Sequence, residues 1–68
     1  MENHIYRLTE IIGSSPNTIN DAINNAVETA SGTLRNMSWF EVTEMRGRIE
    51  DGKVGQFQVK LKVGFRLD

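Results

Sequence analysis

An alternating run of eleven residues near the C-terminus constrains the fold more than any other stretch. In Phe57-Gln58-Val59-Lys60-Leu61-Lys62-Val63-Gly64-Phe65-Arg66-Leu67 every odd position is apolar and every even one is polar or glycine. A period of two marks a strand with one face in a core and one face outside it. Upstream lies a second strand candidate, Trp39-Phe40-Glu41-Val42-Thr43-Glu44-Met45-Arg46-Gly47, and the link between the two contains Glu50-Asp51-Gly52-Lys53. Asp-Gly is a strong signal for a two-residue hairpin turn, because a type I′ turn needs positive φ at both central positions.

That turn predicts a register. Glu50 faces Lys53, and counting outward Met45 faces Gln58, Thr43 faces Lys60, Glu41 faces Lys62 and Trp39 faces Gly64. On the other side Val42 meets Leu61 and Phe40 meets Val63. Directly opposed residues share a face, so this count yields one apolar layer and an opposite face carrying a Glu41–Lys62 ion pair. A bulge at Gly47 or Gly55 would shift part of it. Trp39 then stands on the polar face, opposite a residue with no side chain to cover it. A large flat ring so placed calls for a partner from outside its own chain.

The remaining segments supply one strand and one helix. His4-Ile5-Tyr6-Arg7-Leu8-Thr9-Glu10-Ile11-Ile12 is rich in β-branched residues and predicts a first strand with Tyr6, Leu8 and Ile12 on one side, closed by Gly13. Ser15 and Pro16 suit the cap and first position of a helix. Ile19, Ala22, Ile23, Ala26, Ala30 and Leu34 recur at helical spacing, and their mostly alanine stripe lets a sheet approach closely. Gly32 weakens the last turn, Arg35 favours a helix C-terminus, and Asn36 tolerates a left-handed exit. The order is β-α-β-β, an α+β fold in which three antiparallel strands cover one helix.

Sixty-eight residues form a single domain, 1–68, too short for a generous core. Without cysteines it lacks disulfides and thiolate metal sites, and the lone His4 has no neighbouring acid or second His at ligand spacing, so no metal is expected. Association with other copies is the usual remaining remedy. A net charge of −1 gives no electrostatic reason to expect nucleic acid or an anionic membrane. With no signal peptide and no long apolar run, a cytoplasmic protein is expected, and Asn36-Met37-Ser38 is a chance glycosylation sequon.

Enzyme chemistry finds little support. There is no Gly-rich phosphate loop, no His-Glu-x-x-His, and no nucleophile with a base and an orienting residue. Glu41 and Glu44, three apart on a strand, fall on opposite faces and do not make an acid–base pair. What remains is Trp39 with Met45, Gln58 and Lys60 on one face, and Arg46 and Arg66 near strand ends. Two readings stay open. Trp39 packs against a neighbouring subunit in a structural shell, or it is a stacking platform for a flat aromatic ligand whose edge Gln58 reads and whose phosphate an arginine takes. Gln58 lies about 20 Å along the strand from Trp39, so a ligand touching both needs two subunits.

Tyr6-Arg7 ahead of Gly13-Ser14-Ser15, the Ala-rich helix, Trp39-Phe40-Glu41-Val42 with Arg46-Gly47, and Phe57-Gln58-Val59 with Val63-Gly64-Phe65-Arg66-Leu67 together resemble the dodecin family of flavin-binding proteins. The resemblance implies a curved sheet wrapped around its helix and a hollow homo-dodecamer of cubic symmetry. It implies paired flavins (FMN, riboflavin or a lumichrome-type breakdown product) stacked between symmetry-related tryptophans. By position Trp39 would stack, Gln58 would bond the ring edge, Arg46 and Arg66 would serve the ribityl-phosphate end, and Glu44 would lie near. The role implied is storage and quenching of flavin photochemistry without turnover. The alternative is a dodecameric shell that binds no flavin, or that carries coenzyme A or ions. Coenzyme A would draw on Tyr6, Arg7, Thr33, Leu34 and Arg35; Thr29, where a basic residue is common, weakens that carry-over.

Overall fold

The computed structural model describes residues 4–67. Strand β1 (Tyr6–Ser15) leads to helix α1 (Ile19–Ala30), then to strands β2 (Met37–Glu50) and β3 (Lys53–Arg66). All pairing is antiparallel in the order β1-β3-β2, so the alternating strand is the central one. Its odd residues face α1; Val59, Leu61 and Val63 are almost completely buried, and Val59 and Leu61 form the core cluster with Ala22 and Ala26. Each of those three aliphatic side chains contributes roughly 1.5–3 kcal/mol by leaving water. Ile11, Ile19, Ile23, Val27 and Val42 pack around the edge of this cluster.

The two strand edges differ in what covers them. The helix lies across β1 and β3 and barely meets β2. Phe40, Met45 and Ile49 of β2 therefore stay 49–77% exposed although they point to the helix side of the sheet or towards the turn. The radius of gyration is 14.2 Å, against about 11 Å for a compact chain of this length. The long β2–β3 ribbon, in a molecule 54 Å end to end, accounts for the excess.

Several local expectations shift. Gly13 does not close β1; it continues the strand, because its missing side chain is what lets the helix pass. A β-carbon there would sit 2.2 Å from the Ala22 carbonyl oxygen and 2.6 Å from the Ala26 β-carbon. That contact sets the inward parity of β1, so Tyr6, Leu8 and Ile12 do share a side, but it is the outer one, and all three are exposed. The helix starts later than Ser15-Pro16. Thr18 is the cap, its hydroxyl accepting from the Asp21 amide at 2.9 Å, while the buried Ser15 hydroxyl donates to the Asp21 carboxylate at 2.7 Å. The helix also ends earlier, at Ala30, before Gly32 and Leu34. Asn36 does adopt the left-handed conformation, at φ 61°.

The hairpin turn is as the Asp-Gly pair predicts, with φ of 52° at Asp51 and 75° at Gly52 and Glu50 opposite Lys53. Two bulges then interrupt the count between the turn and Trp39, and a third register shift falls beyond it, at Ser38, so that Met37 pairs with Phe65. Gly55 is an extra residue on β3, and Thr43 is an extra residue on β2 whose hydroxyl donates to the Lys60 carbonyl at 3.2 Å. Between them the register is offset by one; beyond Thr43 it returns to the value set by the turn. Trp39–Gly64, Phe40–Val63, Glu41–Lys62 and Val42–Leu61 are thus paired as expected, whereas Met45–Gln58 and Thr43–Lys60 are replaced by Arg46–Gln58 and Glu44–Lys60.

Candidate functional site

The bulge at Thr43 rearranges the outer face. Trp39, Glu41, Glu44 and Arg46 now lie on one side, facing Gly64, Lys62, Lys60 and Gln58 in turn. Met45 leaves that group and faces Val59 on the helix side. Glu41 and Glu44 share the outer face after all, because the extra residue between them restores their parity. Among the described residues, the ion pairs on this face join Lys60 to Glu10 at 3.8 Å and Arg46 to Glu44 at 3.7 Å; Glu41 and Lys62 are opposed in register without joining them. All these groups are well exposed, and such pairs contribute little to stability.

At one end of this face Trp39 lies down across the sheet. A β-carbon on Gly64 would meet Cε2, Cζ2 and Nε1 of the indole at 2.2, 2.4 and 2.7 Å, so only glycine leaves room for the ring. The indole reaches over β3 to Tyr6 on β1, whose ring meets it edge-on with centroids 6.4 Å apart. Trp39 nevertheless remains 43% exposed. The opposed glycine therefore serves as the seat of the ring, and the ring's far side is open.

Six residues further along β3 a second group forms. Arg46 donates from Nε to Gln58 Oε1 at 3.2 Å, and Gln58 donates from Nε2 to Gln56 Oε1 at 3.1 Å. With Glu44 beside Arg46 this is a continuous polar chain, Glu44–Arg46–Gln58–Gln56. It orients the Gln58 amide and leaves it one donor and one acceptor to offer. Arg46, expected near a strand end, is in mid-strand beside Gln58. Gln56 is a member that sequence reading missed, although its place two residues before Gln58 puts both on one face. The group is about 20 Å from Trp39 at strand rise. Arg66 is at the Trp39 end, opposite Tyr6.

The residues considered for coenzyme A are divided. Tyr6 is on the outer face beside Trp39, and Arg7 is on the helix side opposite Phe65. Thr33 and Leu34 line a cleft of about 660 Å³ between β1 and α1, with Ile11, Gly13, Asn25 and Ala26. The indole is not among the residues that line this cleft. No group of metal-ligating side chains occurs among the described residues, and no helix among them is long and apolar enough to cross a membrane.

The dodecin family model matches residues 5–68. The chain belongs to the dodecin family. It is 44% identical over 64 residues to a curated dodecin from Thermus thermophilus, covering 94% of this chain and 93% of that one. Its fold is similar to the solved structure of dodecin from Streptomyces coelicolor, with a TM-score of 0.94 at 57% identity over 100% of this chain and 97% of the other. Dodecin from Streptomyces davaonensis gives a TM-score of 0.93 at 52% identity, with 98% of each chain covered. The β-α-β-β subunit and its three-stranded antiparallel sheet are thus those of a dodecin.

Proposed function

We propose that the chain is a flavin-binding storage protein, assembled as a homo-dodecamer, that holds FMN or a riboflavin-type ligand on Trp39 and performs no turnover. The observation that carries this reading is the half-exposed indole seated on Gly64, a flat aromatic face held by its own sheet and open on the other side. An isoalloxazine stacked there gains about 0.5–1.5 kcal/mol per ring contact beyond burial.

The separation of Trp39 from the Arg46–Gln58 pair demands a second copy. One subunit would offer the stacking face and another the amide and guanidinium, so a complete site exists only where copies meet. Gln58, with one donor and one acceptor free, suits the imide edge of a flavin, and Arg46 or Arg66 suits a phosphate. An indole in contact with a photoexcited flavin donates an electron to it rapidly, which quenches the flavin without net chemistry.

Titrating FMN into the apo-protein should extinguish the flavin's fluorescence, and Trp39→Ala should abolish that effect. A mutant that quenches like the wild type overturns the assignment. One observation favours a second reading, a shell in which Trp39 only joins subunits. Leu8 and Ile12 are exposed on the same face as the indole and call for cover of their own. On that reading wild type leaves FMN fluorescence unchanged and Trp39→Ala dissociates the assembly in sedimentation.

A further inference from the structure

The flavin reading gives no task to Tyr6, which its register and its edge-on ring contact place against Trp39. We infer that Tyr6 is a redox partner of Trp39, returning an electron to the indole whenever the indole has been left oxidised. The proposal rests on the quenching role given to Trp39 above, but the contact behind it is independent of any ligand.

Three observations carry it. The two rings touch, with centroids 6.4 Å apart and planes 62° from parallel, close enough for direct electron transfer without an intervening residue. Tyr6 is 43% exposed, so its phenol can release a proton to water and its radical can be met by soluble reductants. The chain contains one tyrosine and one tryptophan, so within a subunit Trp39 has a single phenol to draw on.

The sequence of steps balances. A bound photoexcited flavin would supply the one-electron oxidant for Trp39, with dioxygen, reduced to superoxide, as the final acceptor whenever the electron does not return. Trp39 is then left as an indole radical cation. Tyr6 then gives an electron through the ring contact and its phenol proton to water. The indole, with any proton it had shed taken back from water, is restored. The phenoxyl radical is reduced by a soluble thiol, which supplies one electron and one proton. Tyr6 thereby protects the stacking surface from oxidative loss, a task separate from binding.

Pulse radiolysis of the flavin-free protein with the azide radical, which oxidises indole in preference to phenol, tests the step directly. The indolyl absorption should decay as the phenoxyl absorption rises, with one rate constant independent of protein concentration. In Tyr6→Phe, which keeps the ring and its packing, the phenoxyl signal should be lost and the indolyl radical should persist. An indolyl lifetime equal in wild type and Tyr6→Phe overturns the proposal. So does a rate that scales with protein concentration. FMN quenching is read separately in both proteins: its absence from the wild type would refute the flavin reading and leave the radiolysis result standing.

Discussion

Replacing Gly64 by alanine should dislodge Trp39 while sparing the fold. The added methyl carbon would start 2.2 Å from the indole Cε2. Carbon contacts settle at about 3.5–4.0 Å, so the ring must lift or swing by about 1.3 Å or more. The main chain has no reason to yield, because alanine is sterically at home in a strand and recovers roughly 0.5–1 kcal/mol of the entropy a strand glycine costs. The indole is the part free to move, since its far side faces solvent. A ring forced off its preferred rotamer costs about 0.5–1.5 kcal/mol. Losing a well-placed stacking contact of about 0.5–1.5 kcal/mol weakens FMN binding by roughly two- to twelvefold. The assay is an FMN fluorescence titration on both proteins, beside the near-ultraviolet circular dichroism of the single tryptophan and a thermal melt. The expected outcome is weaker quenching, an altered tryptophan band and a melting temperature within a few degrees of wild type, because the two stability terms nearly offset each other. An unchanged tryptophan band in a folded mutant refutes the placement of the ring on Gly64, whatever FMN does.

Two further substitutions test the supports of the site. Gly13→Ala should destabilise the subunit by about 1–3 kcal/mol through overpacking against the Ala22 carbonyl and the Ala26 methyl; a denaturant midpoint equal to wild type would mean that the helix does not pass so close. Thr18→Ala removes the hydroxyl that accepts from the Asp21 amide and should cost about 1 kcal/mol in the same measurement, with FMN quenching unaltered because the cap is remote from the indole.

The architecture was legible because local signals agreed: an Asp-Gly turn, a strict period of two in β3 and an alanine stripe on the helix all imply one β-α-β-β arrangement. Trp39 was placed opposite Gly64 for the same reason, although the count that put it there crossed two bulges of opposite sense that cancel, one at Gly55, where a shift had been allowed for, and one at Thr43, where none had. Where only one of them lay between the turn and a residue, the count failed, and Met45 was set beside Gln58 in place of Arg46. A signal was present in Val42-Thr43-Glu44-Met45: two consecutive polar residues, Thr43 and Glu44, break the alternation where the extra residue lies, and the bulge is held by a hydroxyl bond to the facing strand. Gly13 misled in the opposite way, since a glycine that ends a strand and one that admits a helix read alike until the helix is in place. Tyr6 could be assigned to a sheet side only once that contact had set the parity of β1.

The bulges at Thr43 and Gly55 also have a bearing on size. Each bends the ribbon that carries Trp39 near one end and the Arg46–Gln58 pair towards the other, and each sharpens its twist. Deleting either residue would straighten the ladder without exchanging a single cross-strand partner, so the subunit would still fold and still display the same side chains. A shell of identical copies, however, closes only when the angle between successive contacts divides a full rotation. In the assembly proposed above, the curvature of this one hairpin therefore governs how many copies complete the sphere, and a chain shortened at either position would build a cage of another diameter or an open sheet.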